Sequence, residues 1–202
     1  MGTARVRRAA VLAGALAAAL VGPSACAPSP ATSRQAEATV VGSAADCLAP
    51  EVLDELGLTL DPSLAARASH APAPTPGRVP DDFDATRVVV CQVGGQMRDS
   101  AGTWTAVTAT SREGADGDVA ALVAALAAAA SAAPGAPAGT DPCDSEAARL
   151  VLWLVDAIDR TVLPVVPVDA CGGPTQAVLD ALDSLAVTAV ADHPVELVVP
   201  AS

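Results

Sequence analysis

The stretch "TRVVVCQVGGQMRDSAGTWTAVTATS", residues 86–111, decides the fold. Its first part, TRVVVCQV, is short and rich in β-branched residues, the composition of a strand. Its last part, TWTAVTATS, alternates Trp104, Ala106 and Thr108 with Thr103, Thr105 and Val107, the period of a strand with one face buried. Between them, GGQMRDSAG carries the residues of a turn. The stretch predicts a hairpin.

Working outward, the C-terminal side switches to a helical period. In DGDVAALVAALAAAAS, Val119, Leu122, Val123 and Leu126 fall at i, i+3, i+4 and i+7, and Asp116 or Asp118 can cap the start. A loop, APGAPAGTDP, follows. The apolar run ARLVLWLVDAI reads as a central strand, and Asp159-Arg160 turns it into TVLPVVPVDAC. Pro164 and Pro167 cannot donate to a ladder, so this second run is expected at an edge or as irregular chain. GGPTQAVLDALDSLAVTAV then starts a helix with Pro174 in its first turn and Val178, Leu179, Leu182 and Leu185 on one face. PVELVV supplies a short last strand. On the N-terminal side, LAPEVLDELGL reads as a short helix with Pro50 early and Gly57 as its stop. The prolines of residues 69–84 make that segment a loop. The expected fold is α+β: an antiparallel sheet from two hairpins, each followed by a helix (ββα-ββα), with the helices on one face.

Five cysteines are present: Cys26, Cys47, Cys91, Cys143 and Cys171. Setting Cys26 aside leaves an even number, which an oxidising compartment favours. Cys47 with Cys91 would staple the first helix to the first strand, and Cys143 with Cys171 would close the second hairpin. Each loop is worth roughly 3.5–4 kcal/mol in the chain-entropy account. The other two pairings stay open from sequence alone.

The N-terminus explains why Cys26 stands apart. Arg5, Arg7 and Arg8 precede an uncharged apolar run, residues 9–21, and Gly22-Pro23 ends it. This is the organisation of a secretory signal peptide. The run is too short to span a bilayer as a helix. Ser24-Ala25-Cys26 resembles the end of a bacterial lipobox, with Pro23 where a lipobox usually has Leu. That resemblance implies cleavage before Cys26 and a diacylglyceryl thioether on its sulfur. The expected organisation is a signal peptide over residues 1–25, a flexible tether over 26–44, and a single domain over 45–202.

Charge narrows the partners. The chain carries a net charge of −12, has no lysine, and has Phe83, Trp104 and Trp153 as its aromatics. An acidic surface repels phosphate, so no nucleic-acid partner is expected. Few aromatics leave little for stacking on bases or sugars. No cofactor or metal is expected either. The cysteines lack the close spacing of zinc ligands, and the acids of EGADGD do not follow a calcium-loop pattern and suit a helix start. His70 lies in the proline-rich loop and His193 beside Pro194, and no Gly-x-Ser-x-Gly elbow accompanies them. Both read as surface loop histidines.

RVVVCQVGG, VAALVAALAAA and VLPVVPVDACGGP together resemble uncharacterised secreted or lipoprotein domains of high-GC Gram-positive bacteria. The resemblance covers most of the chain after the signal peptide and implies localisation and fold plan, not mechanism. The expected function is a non-catalytic cell-envelope lipoprotein, anchored at Cys26 on the extracytoplasmic face, that binds a ligand or an envelope protein. The alternatives are a secreted protease-inhibitor-like module, with GAPAGTDPCDS as its exposed loop, and a carboxylate-dependent hydrolase.

Overall fold

The computed structural model describes residues 35–114, 118–130 and 149–201. The signal peptide, Cys26, the 133–142 loop and Cys143 lie outside the described residues. Two short helices, α1 (Pro50–Leu56) and α2 (Pro62–Ala65), precede the hairpin of β1 (Ala85–Arg98) and β2 (Gly102–Glu113). Helix α3 (Asp118–Ala130), a second hairpin of β3 (Leu150–Asp156) and β4 (Thr161–Val162), helix α4 (Gln176–Asp183) and β5 (Ala186–Pro200) follow. The five strands form one antiparallel sheet in the order β4-β3-β1-β2-β5.

Local chemistry accounts for the strand lengths. Asp99 closes the first hairpin: its Oδ1 accepts from the backbone N–H of Ala101 and Gly102 and from the Trp104 indole N–H. Strand β3 is buried along nearly its whole length, as its continuous apolar run requires of a strand covered on both sides. Strand β4 stops after two residues, because Pro164 cannot continue the ladder.

Period-two alternation sends side chains to two cores. Val88, Val90, Leu152 and Leu154 pack with Val119, Leu122 and Leu126 of α3 and with Val178 and Leu182 of α4. Cys91, Val107, Val151 and Trp153 pack with Val52, Leu53 and Leu56 of α1. The expectation of helices on one face is therefore incomplete. The buried stripe of α1 is satisfied on the other side of the sheet from the α3–α4 core.

Two further expectations are corrected. The segment AVTAVADHP does not continue α4; it is the first part of β5, which pairs with β2 from Ala186 opposite Glu113 to Pro200 opposite Gly102. Residues 186–192 are exposed, so ladder hydrogen bonds rather than burial hold them. Pro194 is tolerated because β5 is an edge strand, and the register shifts beside it, between Thr105 and Ala106. Among the described residues, no strand after α3 corresponds to β5.

The described part of the expected 26–44 tether, from Gln35, also makes contacts with the fold. Chain from Gln35 onward already belongs to the fold: Ala38 is buried in the α3–α4 core, Ala38 N–H donates to the Arg78 carbonyl at 2.8 Å, and Arg78 N–H donates to that of Ala36 at 2.8 Å. Gly77 makes this approach possible, since a Cβ there would sit 2.4 Å from the Ala38 nitrogen. Arg78 adds ion pairs to Glu37 and Asp81.

Candidate functional site

An apolar concavity lies beside α1. Pro50 starts this helix and Gly57, at φ 74°, ends it, with Leu58 N–H closing back on the Leu53 carbonyl at 2.8 Å. Thr59 N–H donates to Glu196 Oε1 at 2.7 Å and Asp61 N–H to the Val195 carbonyl at 2.8 Å, so the chain after α1 is tied to β5. With Val52, Leu53 and Leu56 buried, the i, i+4 pair Glu51 and Glu55 is left exposed along the cleft.

The cleft has a volume of about 220 Å³ and mostly apolar walls. Val52, Val151 and Leu163 line it from the α1-side core. Val165, Val166 and Val168 line it from the irregular chain after β4, joined by Pro76, Pro164 and Pro174. Its charged groups are Glu51, Glu55 and Arg149. Glu51 Oε2 accepts from Ala73 N–H at 2.7 Å, which pins the proline-rich loop beside the cleft. Such a site can hold an apolar group while keeping a polar one at its exposed charges.

A second, polar cleft of about 540 Å³ opens on the same sheet beyond α1. Arg87, Ser111, Glu113, Asp159, Thr161 and Thr188 line it. Its one cation is already engaged: Arg87 pairs with Asp159 at 2.9 Å and stands opposite Glu113 in the ladder. Among the described residues, Asp156, Asp159 and Asp169 do not form a cluster placed to hold a metal. Asp156 and Asp169 organise turns, accepting from Ile158 and Arg160 N–H and from Cys171 and Gly173 N–H respectively.

His70 lies in loop as expected, whereas His193 lies in a strand. His70 Nδ1 lies 2.8 Å from Asp46 Oδ2 with the ring half-buried, and Asp46 Oδ1 accepts from Leu48 N–H at 2.9 Å. His193 stands in β5 opposite Val107. Among the described residues, no hydroxyl or thiol hydrogen-bonds to either ring.

Cys47 and Cys91 form a disulfide with a Cα separation of 5.4 Å, both side chains in the α1-side core. Cys171 is also disulfide-bonded. Among the described residues no group of three or more His, Cys, Asp or Glu side chains is placed to hold a metal, and no helix is long and apolar enough to cross a membrane. Sequence reasoning missed the cleft and the Asp46–His70 pair. The carboxylates of PEVLDEL four apart, flanking the Val52-Leu53-Leu56 stripe, were the available signal for the cleft. Nothing in sequence brings Asp46 to His70. No family model, curated protein or solved structure matches this chain.

Proposed function

We propose that this chain is an exported, non-catalytic protein of the cell envelope, held to the outer face of the membrane through a diacylglyceryl group on Cys26, whose folded part binds a ligand or protein partner there. The observation that carries this reading is the Cys47–Cys91 disulfide, since such bonds persist in oxidising compartments outside the cytosol. Cys171 paired with Cys143 would leave Cys26 as the odd thiol, set at the end of a signal-peptide-like leader. Two acyl chains on one residue suffice for stable attachment. In the same reading the two ββα units are pattern repeats whose helices α3 and α4 form one layer, with β5 added after the second unit.

The test compares wild-type and Cys26→Ser chains in a Gram-positive host fed an alkyne-tagged fatty acid. Tag on the wild type, its recovery with membranes, and release of the variant into the medium are the expected results. An untagged wild type, or a variant retained like the wild type, overturns the anchor.

The carboxylate-dependent hydrolase is the second reading, favoured by Glu51 and Glu55 lining one cleft. It requires turnover of a glycoside or ester substrate that Glu55→Gln abolishes.

A further inference from the structure

We infer that the apolar cleft beside α1 takes the aliphatic chain of a lipid drawn from the bilayer to which the protein is tethered; this deepens the anchoring reading above and rests on it. The walls specify an apolar occupant. Val165 and Val168 are 40% and 61% exposed along the cleft, and covering such side chains is favourable. Its volume of about 220 Å³ lies below the usual range for drug-sized ligands, roughly 300–1,000 Å³. It therefore suits one chain, not a bulky ring system. Glu51, Glu55 and Arg149 are exposed, so they meet the part of the ligand that stays in water. With both signs present, they do not select a headgroup strongly.

Position identifies the source. Gln35, the first described residue, borders a small pocket with Gly77, Pro164 and Val165, and Pro164 and Val165 also line the cleft. The chain thus enters the fold beside the cleft. Only residues 27–34 separate Cys26 from Gln35. At no more than about 3.6 Å per residue, that span reaches roughly 30 Å, comparable to the hydrocarbon thickness of one bilayer. A lipid on Cys26 would therefore keep the cleft within reach of the membrane surface.

The experiment uses full-length Cys26→Ser protein purified without detergent, mixed with phosphatidylglycerol vesicles that hold a lysophospholipid with a fluorescent acyl tail. Uptake that saturates at one tail per chain is expected. Binding of the monomeric lysophospholipid from water, measured without vesicles, should weaken roughly fourfold for each methylene removed from the tail. Val165→Glu and Val168→Glu place a carboxylate in the apolar wall and should each weaken uptake by about tenfold or more. Asp84→Asn, at an exposed carboxylate outside the cleft lining, should leave it within about threefold, because an exposed charge contributes little. Retention of the Cys47–Cys91 bond and an unchanged unfolding midpoint show that each variant is folded. No saturable uptake, binding from water that is indifferent to tail length, or equal uptake by folded Val165→Glu and Val168→Glu overturns the inference. Binding of the labelled free fatty acid with none from vesicles overturns the bilayer as source. Failure of the anchoring reading shows separately, as wild-type and Cys26→Ser chains that fractionate alike while both still take up the tail.

Discussion

Val41 and Thr161 exchange both backbone hydrogen bonds: Val41 N–H donates to the Thr161 carbonyl at 2.9 Å, and Thr161 N–H donates to that of Val41 at 2.8 Å. The pair adds a one-bridge extension to β4, the shortest edge of the sheet. Thr161 is fully buried, and its hydroxyl donates to the Ser43 carbonyl at 3.0 Å. The N-terminal segment thus covers backbone that β4 would otherwise expose.

Gly77→Ala tests this segment. The added methyl meets the Ala38 nitrogen and the Ala36 carbonyl at 2.4 and 2.6 Å. Backbone cannot give way cheaply, so a loss of about 1–3 kcal/mol is expected. Amide exchange at Val41 and Thr161 should accelerate more than exchange within β1. Unchanged protection at both amides would show that the segment is held elsewhere.

The Cys47–Cys91 bond spans a sequence separation of 44 residues. Replacing both cysteines by alanine should lower stability by about 4 kcal/mol on the chain-entropy account. Urea unfolding measures it. A loss below about 1 kcal/mol would mean that the packing of α1 already confines the unfolded chain's loop.

Acid sensitivity follows from the turns. Burial pushes the Asp156 carboxyl up, but hydrogen bonds from the Arg160 side chain and from the Arg160 and Ile158 N–H groups outweigh it and hold the value below the ordinary 3.8. Asp99, through the Trp104 indole and the Ala101 N–H, and Asp61, through the Ser63 hydroxyl and N–H, are lowered too. Below 3.8 the unfolded chain takes up protons before the folded one does. The stabilisation is therefore complete above that value and lost as pH falls through the lower folded values. Asp156→Asn should flatten part of the fall in melting temperature between about pH 5 and pH 2. A variant with the wild-type acid profile would remove Asp156 as a cause.

The two tryptophans should respond differently to phenylalanine. Trp153 Nε1 is buried without a partner among the described residues, whereas Trp104 Nε1 donates to Asp99 at 2.8 Å. Trp153→Phe removes an unpaired donor and should cost less than about 1.5 kcal/mol. Trp104→Phe also strips the Asp99 turn of a donor, so it should destabilise more and weaken the acid response. Thermal unfolding ranks them, and the reverse order would contradict this account.

The sequence by itself determined the elements whose signals are local. Alternation through Trp104 and Ala106 marks β2, although Val107 rather than Thr108 is buried beyond the register shift, Pro50 and Gly57 bracket α1, and the unbroken run through Trp153 marks a strand covered on both faces. Tertiary structure decided what depends on partners far along the chain. Residues 186–192 form a strand because β2 offers them a ladder; exposed and only weakly patterned, they carry little strand signal of their own. Ala36 and Ala38 join the fold because Gly77 leaves room for them, and Val41 because Thr161 pairs with it. The cleft exists because α1 and the chain after β4 meet around β3, bringing Glu51, Arg149 and Val165 to one place. Periodicity reports which face of an element is apolar; it carries no information about which distant surface will cover that face, or where two covers leave a gap.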